Sequence, residues 1–515
     1  MAALVLIAFG AVAPFLGRDA FVATLPDDAF YYFQIARQVA SGRGFTFDGV
    51  HPTNGFHPLW LFTLVPVFAL VPGDVPPLRV AVWIQVGLVA VAAAVIFRGL
   101  CPRIGKAAAL TAALGVVALP GAPSVFRTGM ESSLLLCLMV AVWRRWLGLP
   151  SGAAPHGRGW FGLGLLCGLA LLARLEAIFL VPALLVLGGR RWLRDPKALL
   201  ALVGPPALAL SAYVAWNALA FGTLLPVSAL VKAHWARRAP TRTVLRGLLD
   251  PPWVFHTLVC RLFGPVALLD CPAVAILLFW VLVALALGAA WRFRAALRAV
   301  VRQSGAALVL LSSGLIVVAD KLSVGRLESW YDGPMVLSTA VLAGAVVSRS
   351  PRLARAAAAA AVLATLARVP LAAWQAREPE ARYAYYRIRA AEWVRQNTPP
   401  SDRIGSWNAG TLGYFSHRTV VNLDGLVNDA GFFRTVIEGR NLEGYLDRER
   451  IAWLADQACG PRQSPRNYLA RGDAAHMEKE SELAARFFRA DAPDGCPGYA
   501  VWWRTERALP ARGRE

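Results

Sequence analysis

The chain has 515 residues, of which 57% are hydrophobic and only 17% are charged. Its mean hydropathy of +0.49 excludes an ordinary soluble globular domain of this length. The formal net charge of +21 would suggest a nucleic-acid partner in a soluble protein. Here the basic residues lie in short connectors between apolar segments, as they do in the cytoplasmic loops of membrane proteins. The composition therefore predicts a mainly α, polytopic helical membrane protein without a nucleic-acid partner.

About eleven apolar segments cross or nearly cross a bilayer, for which about 20 residues are needed. Strongly basic connectors follow every second segment, so the positive-inside rule places the N-terminus in the cytoplasm and the C-terminal tail outside. The predicted location is the cytoplasmic (inner) membrane. The predicted spans are residues 2–17, 79–97, 107–120, 131–147, 159–173, 175–188, 198–221, 273–290, 305–320, 333–348 and 355–373.

This orientation divides the chain into a transmembrane module, residues 1–375, and a small extracytoplasmic α/β domain, residues 376–515. The module's first external loop is residues 18–78. Within that loop, residues 59–72 are apolar but short and interrupted by proline, so we interpret them as a re-entrant or interfacial segment.

The first external loop contains an acidic pair, Asp27 and Asp28, directly before an aromatic run. The pattern predicts a short helix along the membrane surface that begins with an Asp cap and ends before Gly42 and Gly44. The acids could be helix caps beside an interfacial aromatic belt. Alternatively, a partly desolvated carboxylate here could accept a proton from a sugar hydroxyl.

Residues 51–60 of the same loop contain two histidines, an asparagine and several turn-forming residues. His57 and Asn54 are candidate site residues, although a rigid turn with surface histidines would have the same composition. The histidine spacing differs from that of a helical metal site, so zinc is not predicted. An Asp pair can hold Mg²⁺ or Mn²⁺, but no cofactor is firmly implied.

Three further groups of polar residues lie beside predicted spans. Glu131 either lines a site or caps the following span. Arg174 and Glu176 separate two half-length apolar runs, where charges need a partner or a cavity. The basic external loop that includes Lys232 and His234 breaks the positive-inside rule, and this is explained by an anionic lipid phosphate or by ordinary headgroup contact.

The last external loop between spans contains Arg326 and Tyr331, which could clamp a phosphate and stack on a sugar or serve as interfacial anchors. In the tail, residues 403–428 read as strand, glycine turn and helix. Trp407, Asn408 and Asp424 lie at the turns, where they could bind an acceptor sugar or simply form the turns. Cys459 and Cys496 could pair as a disulfide if the tail is external.

The acidic pair before an aromatic helix, the Gly-rich turn, the Pro-Leu-Trp entry to the next apolar segment and the Trp-Asn-Ala-Gly and Asp-Gly-Leu-Val-Asn segments together resemble the GT-C superfamily of integral-membrane glycosyltransferases. The chain is most similar to bacterial mannosyl- and arabinofuranosyltransferase-like members. The resemblance implies a polyprenyl-phosphate sugar donor and a loop carboxylate, Asp27 or Asp28, as the base that activates the acceptor.

The other candidates, taken from the residues and the resemblance together, fall into two groups. Those assigned to the donor phosphate or sugar are Lys232, His234, Arg326, Tyr331, His57 and Asn54. Those assigned to the acceptor or the cavity wall are Glu131, Arg174, Glu176, Trp407, Asn408 and Asp424.

The predicted function is therefore transfer of a sugar from a polyprenyl-phosphate donor to an extracytoplasmic glycan, lipid or protein acceptor. Membrane lipids are further partners. A lipid or sugar transporter or flippase is the competing class, and a non-catalytic partner in envelope assembly is a third. The sequence leaves the sugar, the acceptor and the linkage open.

Overall fold

The computed structural model describes residues 16–119, 122–149, 157–189, 191–238, 294–324, 331–375, 383–457, 487–490 and 499–504. The predicted spans at 2–17 and 273–290, the candidate Arg326, and both Cys459 and Cys496 lie outside the described residues. The protein is mainly helical, and a five-stranded sheet lies near its C-terminal end.

The helices of the first half of the chain are α1 (Arg18–Val22), α2 (Asp27–Ala40), α3 (Pro58–Leu70), α4 (Pro76–Ile104), α5 (Lys106–Ala118), α6 (Ala122–Phe126), α7 (Ser132–Leu147), α8 (Gly157–Ala173), a 3₁₀ turn (Leu175–Phe179), α9 (Leu180–Gly188), α10 (Arg191–Arg194), α11 (Pro196–Phe221) and α12 (Val227–Arg238). The following helices are α13 (Arg294–Ser304), α14 (Ala306–Val324), α15 (Gly333–Val347), α16 (Pro351–Gln375) and α17 (Tyr383–Asn397).

The predicted spans that lie within the described residues all fold as helices. In this part of the chain, α4 and α11 are each long and apolar enough to cross a bilayer. Several leucines of α11 face outward, and Leu219 is 89% exposed. An apolar outer surface of this kind suits contact with lipid. The number of spans and their orientation stay predictions.

The predicted re-entrant segment is the helix α3, which contains Pro66. Its inner face is buried, and the Trp60 indole nitrogen donates a hydrogen bond of 2.9 Å to the Gly129 carbonyl. At a rise of about 1.5 Å per residue, α3 is shorter than a bilayer core. The helix can therefore enter the membrane region without crossing it.

The helix α2 differs from its prediction in two ways. Its N-cap is Pro26, and no side chain caps its first turn, so the expectation that Asp27 caps this helix is wrong. The aromatic residues at positions 30–33 are buried, so an interfacial aromatic belt is also wrong. The reason is tertiary, because the C-terminal segment packs on this helix and covers it. The helix ends before Gly42 and Gly44, which both have positive φ.

The C-terminal segment contains β1 (Arg403–Ser406), α18 (Gly410–Ser416), β2 (Thr419–Asn422), α19 (Ala430–Phe432), a π-helical turn (Phe433–Glu438), α20 (Leu442–Arg448), β3 (Ile451–Gln457), β4 (Phe487–Ala490) and β5 (Tyr499–Arg504). The strand order is β2-β1-β3-β5-β4. The strands β1, β2 and β3 run parallel, whereas β5 pairs antiparallel with both β3 and β4. The domain boundary near residue 376 stays a prediction.

Glycines allow the C-terminal segment to approach the first loop closely. A Cβ atom on Gly55 would lie 1.9 Å from the Leu426 carbonyl oxygen, and one on Gly410 would lie 2.1 Å from the Asp27 carbonyl oxygen. Both obstacles are backbone atoms, which cannot rotate away. A side chain at either position would therefore push the two parts of the protein apart.

We expect Gly55→Ala to weaken this packing by about 1–3 kcal/mol, the usual range for overpacking. The measurement is the apparent midpoint of thermal unfolding of the purified protein in detergent, which should fall. Gly87→Ala is the matched control, because its added Cβ meets no atom within 4 Å. Equal midpoints for both variants would contradict the close approach.

Candidate functional site

A polar cluster lies where α2, the loops at 51–57 and 127–131, the break between α8 and α9, the helix α12 and the loop at 422–428 meet. We call it the polar site. It consists of Asp28, Tyr31, Tyr32, His57, Glu131, Arg174, Glu176, Lys232, Tyr331 and Asp424.

Asp27 is buried and lies at the edge of this site, where its carboxylate binds the N-terminus of α18. It accepts hydrogen bonds from the backbone nitrogens of Gly410 and Thr411, both at 2.9 Å, and from the Thr411 hydroxyl at 2.7 Å. The Arg387 guanidinium lies 3.3 Å from the same carboxylate. Asp27 therefore caps α18, which is distant in sequence.

Asp28 is half-buried, and its charge acts on Tyr31, Lys232 and Asp424. Consecutive residues of a helix are about 100° apart around its axis, so neighbouring acids reach different surroundings. Asp27 serves the contact with the tail, whereas Asp28 belongs to the polar site. The sequence could not distinguish between these two residues.

Asp424 reaches the polar site from the C-terminal segment. The Tyr31 hydroxyl donates to its Oδ2 atom at 2.8 Å, and the backbone nitrogen of Leu426 donates to its Oδ1 atom at 2.7 Å. The Asn422 amide in turn donates to the Tyr31 oxygen at 3.2 Å. Burial, followed by the charge of Asp28, raises the pKa of Asp424 to about 8. The acid is therefore largely protonated at neutral pH.

Arg174 is buried between two carboxylates. Its Nη1 atom lies 3.3 Å from Glu131 Oε1, and its Nη2 atom lies 3.3 Å from Glu176 Oε1. Its guanidinium also stacks over the Tyr331 ring at 4.2 Å from the ring centroid. Glu131 makes no side-chain cap on α7, so the capping alternative is wrong for this residue. Arg174 and Glu176 form an ion pair that belongs to the polar site.

Lys232, on α12, also contacts Tyr331. Its Nζ atom donates a hydrogen bond of 2.9 Å to the Tyr331 hydroxyl oxygen. Burial alone would lower the pKa of Lys232, but Tyr331 and the charge of Asp28 together raise it above its ordinary value. Lys232 is therefore a cation at the centre of the polar site.

His57 also faces Glu131, with its Nε2 atom 3.9 Å from Glu131 Oε1. Its backbone nitrogen donates to the Tyr32 hydroxyl oxygen at 3.2 Å. Burial lowers the pKa of His57, so the ring is neutral at neutral pH. Its Nδ1 atom is buried and has no hydrogen-bond partner among the described residues.

The other sequence candidates lie outside this cluster. The Asn54 amide donates to Asn217 at 3.0 Å and accepts from the Val227 backbone nitrogen at 2.9 Å, which joins the loop to α11 and α12. The His234 ring faces Phe433. The Trp407 carbonyl accepts from Tyr31 at 3.3 Å, and Asn408 is half-buried just before α18. Binding roles for Asn54, His234, Trp407 and Asn408 stay predictions.

Sequence reasoning missed Tyr31 and Tyr32 as members of the site. They follow Asp28 by three and four residues, so they share its helix face. That spacing is the signal that could have identified them. Within the described part of the chain, no group of three or more histidines, cysteines and acids is placed to hold a metal ion.

Two family models match the chain. Residues 56–216 match the family described as dolichyl-phosphate-mannose-protein mannosyltransferase. Residues 373–502 match a domain of unknown function, DUF8728. No sequence among the curated proteins matches the chain.

Solved structures share the fold over nearly the whole chain. ArnT from Cupriavidus metallidurans bound to undecaprenyl phosphate is 14% identical, with a TM-score of 0.60, and the match covers 97% of this chain and 96% of ArnT. An oligosaccharyltransferase from Archaeoglobus fulgidus, in complex with zinc and sulfate, is 16% identical, with a TM-score of 0.51, and the match covers 95% of this chain and 71% of that protein. The predicted GT-C resemblance is confirmed, and at these identities the structures establish a shared fold.

We expect the stability of the protein to depend on pH through Asp424. An acid whose pKa is raised by folding contributes stability that is present below its ordinary pKa and is lost as pH rises through about 8. Asp424→Asn removes this titration. Its amide oxygen can still accept from the Leu426 nitrogen, and its NH2 group can donate to the Tyr31 oxygen, which reverses the direction of that bond. The thermal midpoint of the variant should therefore rise relative to wild type between about pH 5 and pH 9. Asp19→Asn, at a half-buried acid outside the polar site, is the control. Parallel curves for Asp424→Asn and wild type would contradict this assignment.

Proposed function

We propose that this protein is a membrane glycosyltransferase that moves a sugar from a polyprenyl-phosphate carrier to an acceptor on the external face of the membrane. The observation that supports this most directly is the polar site itself, where the Lys232–Tyr331 pair shares one electrostatic environment with Asp28. The fold shared with an undecaprenyl-phosphate-bound structure adds to this support. The proposal includes the orientation in the membrane, with the N-terminus in the cytoplasm and the C-terminal segment on the external side.

Lys232 and Tyr331 are the groups that we assign to the donor phosphate. A half-buried ammonium ion and a phenolic hydroxyl can both contact phosphate oxygens, and a charge-assisted contact of this kind is strong. Arg174 is less suited to this role because Glu131 and Glu176 already balance its charge. We assign Arg174 the task of holding the Tyr331 ring in place.

Asp28 is the residue that we assign as the base, because both oxygens of Asp27 already accept hydrogen bonds from the tail. In the proposed step, the acceptor hydroxyl passes its proton to the Asp28 carboxylate while its oxygen forms a bond to the anomeric carbon. The bond between that carbon and the phosphate oxygen breaks. The electron pair leaves with the lipid phosphate, and Lys232 compensates the charge that develops there.

Asp424 and Tyr31 approach the site from the side of the C-terminal segment, and we assign them to acceptor contact. As a largely protonated acid, Asp424 can both donate a hydrogen bond to a sugar hydroxyl and accept one from it. Glu131 and His57 line the opposite wall. In this proposal, the donor and the acceptor bind on different sides of Asp28.

A transporter would also contain charges beside a broken helix, as Arg174 and Glu176 do between α8 and α9. Their contacts with Glu131 and Tyr331 explain these charges as parts of the polar site. Covalent sugar transfer, rather than lipid movement, is therefore the property to test.

We expect Asp28→Asn to lower the rate of sugar transfer by at least about 100-fold, because general-base catalysis contributes a factor of that size. The assay uses purified protein in proteoliposomes with a panel of labelled undecaprenyl-phosphate sugars and extracted envelope acceptors. The thermal midpoint of this variant should stay close to that of wild type.

Asp27→Asn is the matched control at the neighbouring residue. It should lower the stability of the protein more than its rate of sugar transfer. An amide offers one acceptor oxygen in place of two, so the contact with α18 weakens and the thermal midpoint falls. Transfer at low temperature should be retained to a larger extent than in Asp28→Asn. Undiminished transfer by Asp28→Asn, in a preparation whose wild type is active, would exclude Asp28 as the base.

A further inference from the structure

A second polar network joins the first external loop to the C-terminal sheet. His51 is buried, and its Nδ1 atom lies 2.6 Å from Asp48 Oδ2 while its Nε2 atom lies 3.1 Å from Glu449 Oε2. The Arg403 guanidinium donates to the same Glu449 oxygen at 2.7 Å. Asp48 and His51 belong to the loop, whereas Arg403 and Glu449 belong to the segment that forms the sheet.

Both ring nitrogens of His51 face carboxylate oxygens, which can only accept hydrogen bonds when they are ionised. A neutral imidazole has a single N–H group, so it can satisfy one of these two contacts. The imidazolium ion satisfies both of them. The geometry therefore favours a protonated His51.

We propose that His51 is a positioning residue whose protonated ring links the loop at 51–57 to the C-terminal sheet. Loss of one proton from the ring releases its contact with Glu449. We call the Asp48–His51–Glu449 contact the clasp. Asp48 also accepts hydrogen bonds from the backbone nitrogens of Val50 and His51, both at 2.8 Å. The contact within the loop is thus reinforced, so the contact across the two segments is the one that opens.

The charges around His51 come from both segments. Asp48 faces it from its own loop, and Glu449 and Asp429 act on it from the C-terminal segment. Arg403 and Arg448 contact Glu449, and the Tyr445 ring lies 6.3 Å from the His51 ring. Burial lowers the pKa of His51, but these carboxylates, led by Asp48, raise it above its ordinary value. The clasp is therefore closed at low pH and weakens as pH rises through that raised value.

The clasp reaches the polar site through the same loop. Asn54, three residues after His51, binds Asn217 of α11 and the Val227 backbone of α12, and α12 contains Lys232. His57 lies at the end of the loop and faces Glu131. Opening the clasp should therefore loosen the side of the site that we assign to the donor phosphate. This last step rests on the proposed function.

The first experiment measures amide hydrogen exchange of peptides 45–57 and 445–457 at pH 6 and pH 9, normalised for the intrinsic exchange rates. The full-length protein is held in nanodiscs of phosphatidylethanolamine and phosphatidylglycerol. Protection in wild type should fall about tenfold or more at pH 9, as expected for loss of one charge-assisted hydrogen bond. His51→Gln should show the lower protection at both pH values. Constant protection in wild type, or an unchanged pH response in His51→Gln, would overturn the proposal.

Two further variants make this test specific. Glu449→Gln should stay protected at pH 9, because its NH2 group, in the position of Oε2, can donate to a neutral Nε2 atom. Its oxygen can then accept from Arg448, and Arg403 keeps its contact with the backbone carbonyl of residue 449. His417→Gln is the matched control, since His417 contacts Asp74 at 3.2 Å through its Nε2 atom and needs no second proton for that contact. It should keep the wild-type response, and loss of that response in His417→Gln alone would place the titrating group there instead.

The second experiment measures binding of undecaprenyl phosphate in the same nanodiscs at both pH values. The lipid phosphate itself titrates, which changes the affinity of both proteins. We therefore compare the affinity of wild type divided by the affinity of Glu449→Gln. We expect this ratio to fall several-fold between pH 6 and pH 9. An unchanged ratio, together with the exchange result, would overturn the positioning role. Failure of wild type to bind at either pH would refute the proposed function. The clasp would still be tested independently by the hydrogen-exchange experiment.

Discussion

The contact between the Asp27 carboxylate and the N-terminus of α18 is the interaction on which the rest of the structure depends. The first turn of a helix has free N–H groups, and a carboxylate placed there satisfies them and interacts favourably with the helix dipole. Here the carboxylate belongs to residue 27, and the helix comes from a segment more than 380 residues away. The contact fixes the C-terminal segment on α2. Tyr31, four residues after Asp27, can then reach Asp424.

The polar site is held together by balanced charges. A buried ion is unfavourable unless neighbouring groups compensate it, and the strength of each pair rises as water is excluded. The two glutamates around Arg174 provide such compensation, and the Tyr331 ring covers the guanidinium. In the proposed function, Lys232 is assigned to the lipid phosphate and Asp28 to the acceptor hydroxyl.

The local pattern of the sequence was sufficient to predict the helices and part of the sheet. Apolar segments such as 198–221 fold as helices, and the strand, glycine turn and helix around residues 403–416 are present because hydrophobic period and turn residues are local signals. The partner of Asp27 could not be predicted, because nothing near residue 27 indicates a helix that begins at residue 410. The prediction that Asp27 caps its own helix failed for this reason, since the carboxylate found donors elsewhere.

The sequence identified many residues of the candidate site but did not predict how they contact one another. Lys232, Tyr331, Arg174 and Glu131 were identified because charged or aromatic residues beside apolar spans need a reason. Their mutual contacts depend on how the four segments that contain them pack, which the hydrophobic period does not encode. The network around His51 was missed altogether, because its loop histidine had the spacing of a simple turn and Glu449 lies almost 400 residues further along the chain.

The most direct test of the central claim is an experimental structure of the protein in lipid nanodiscs with undecaprenyl phosphate bound. Our account predicts phosphate oxygens about 3 Å from both the Lys232 Nζ atom and the Tyr331 hydroxyl. Asp28 should face the vacant sugar position, and Asp27 should still bind the first turn of α18. A phosphate bound away from Lys232, or an Asp27 carboxylate released from α18 and turned toward the phosphate, would contradict the account.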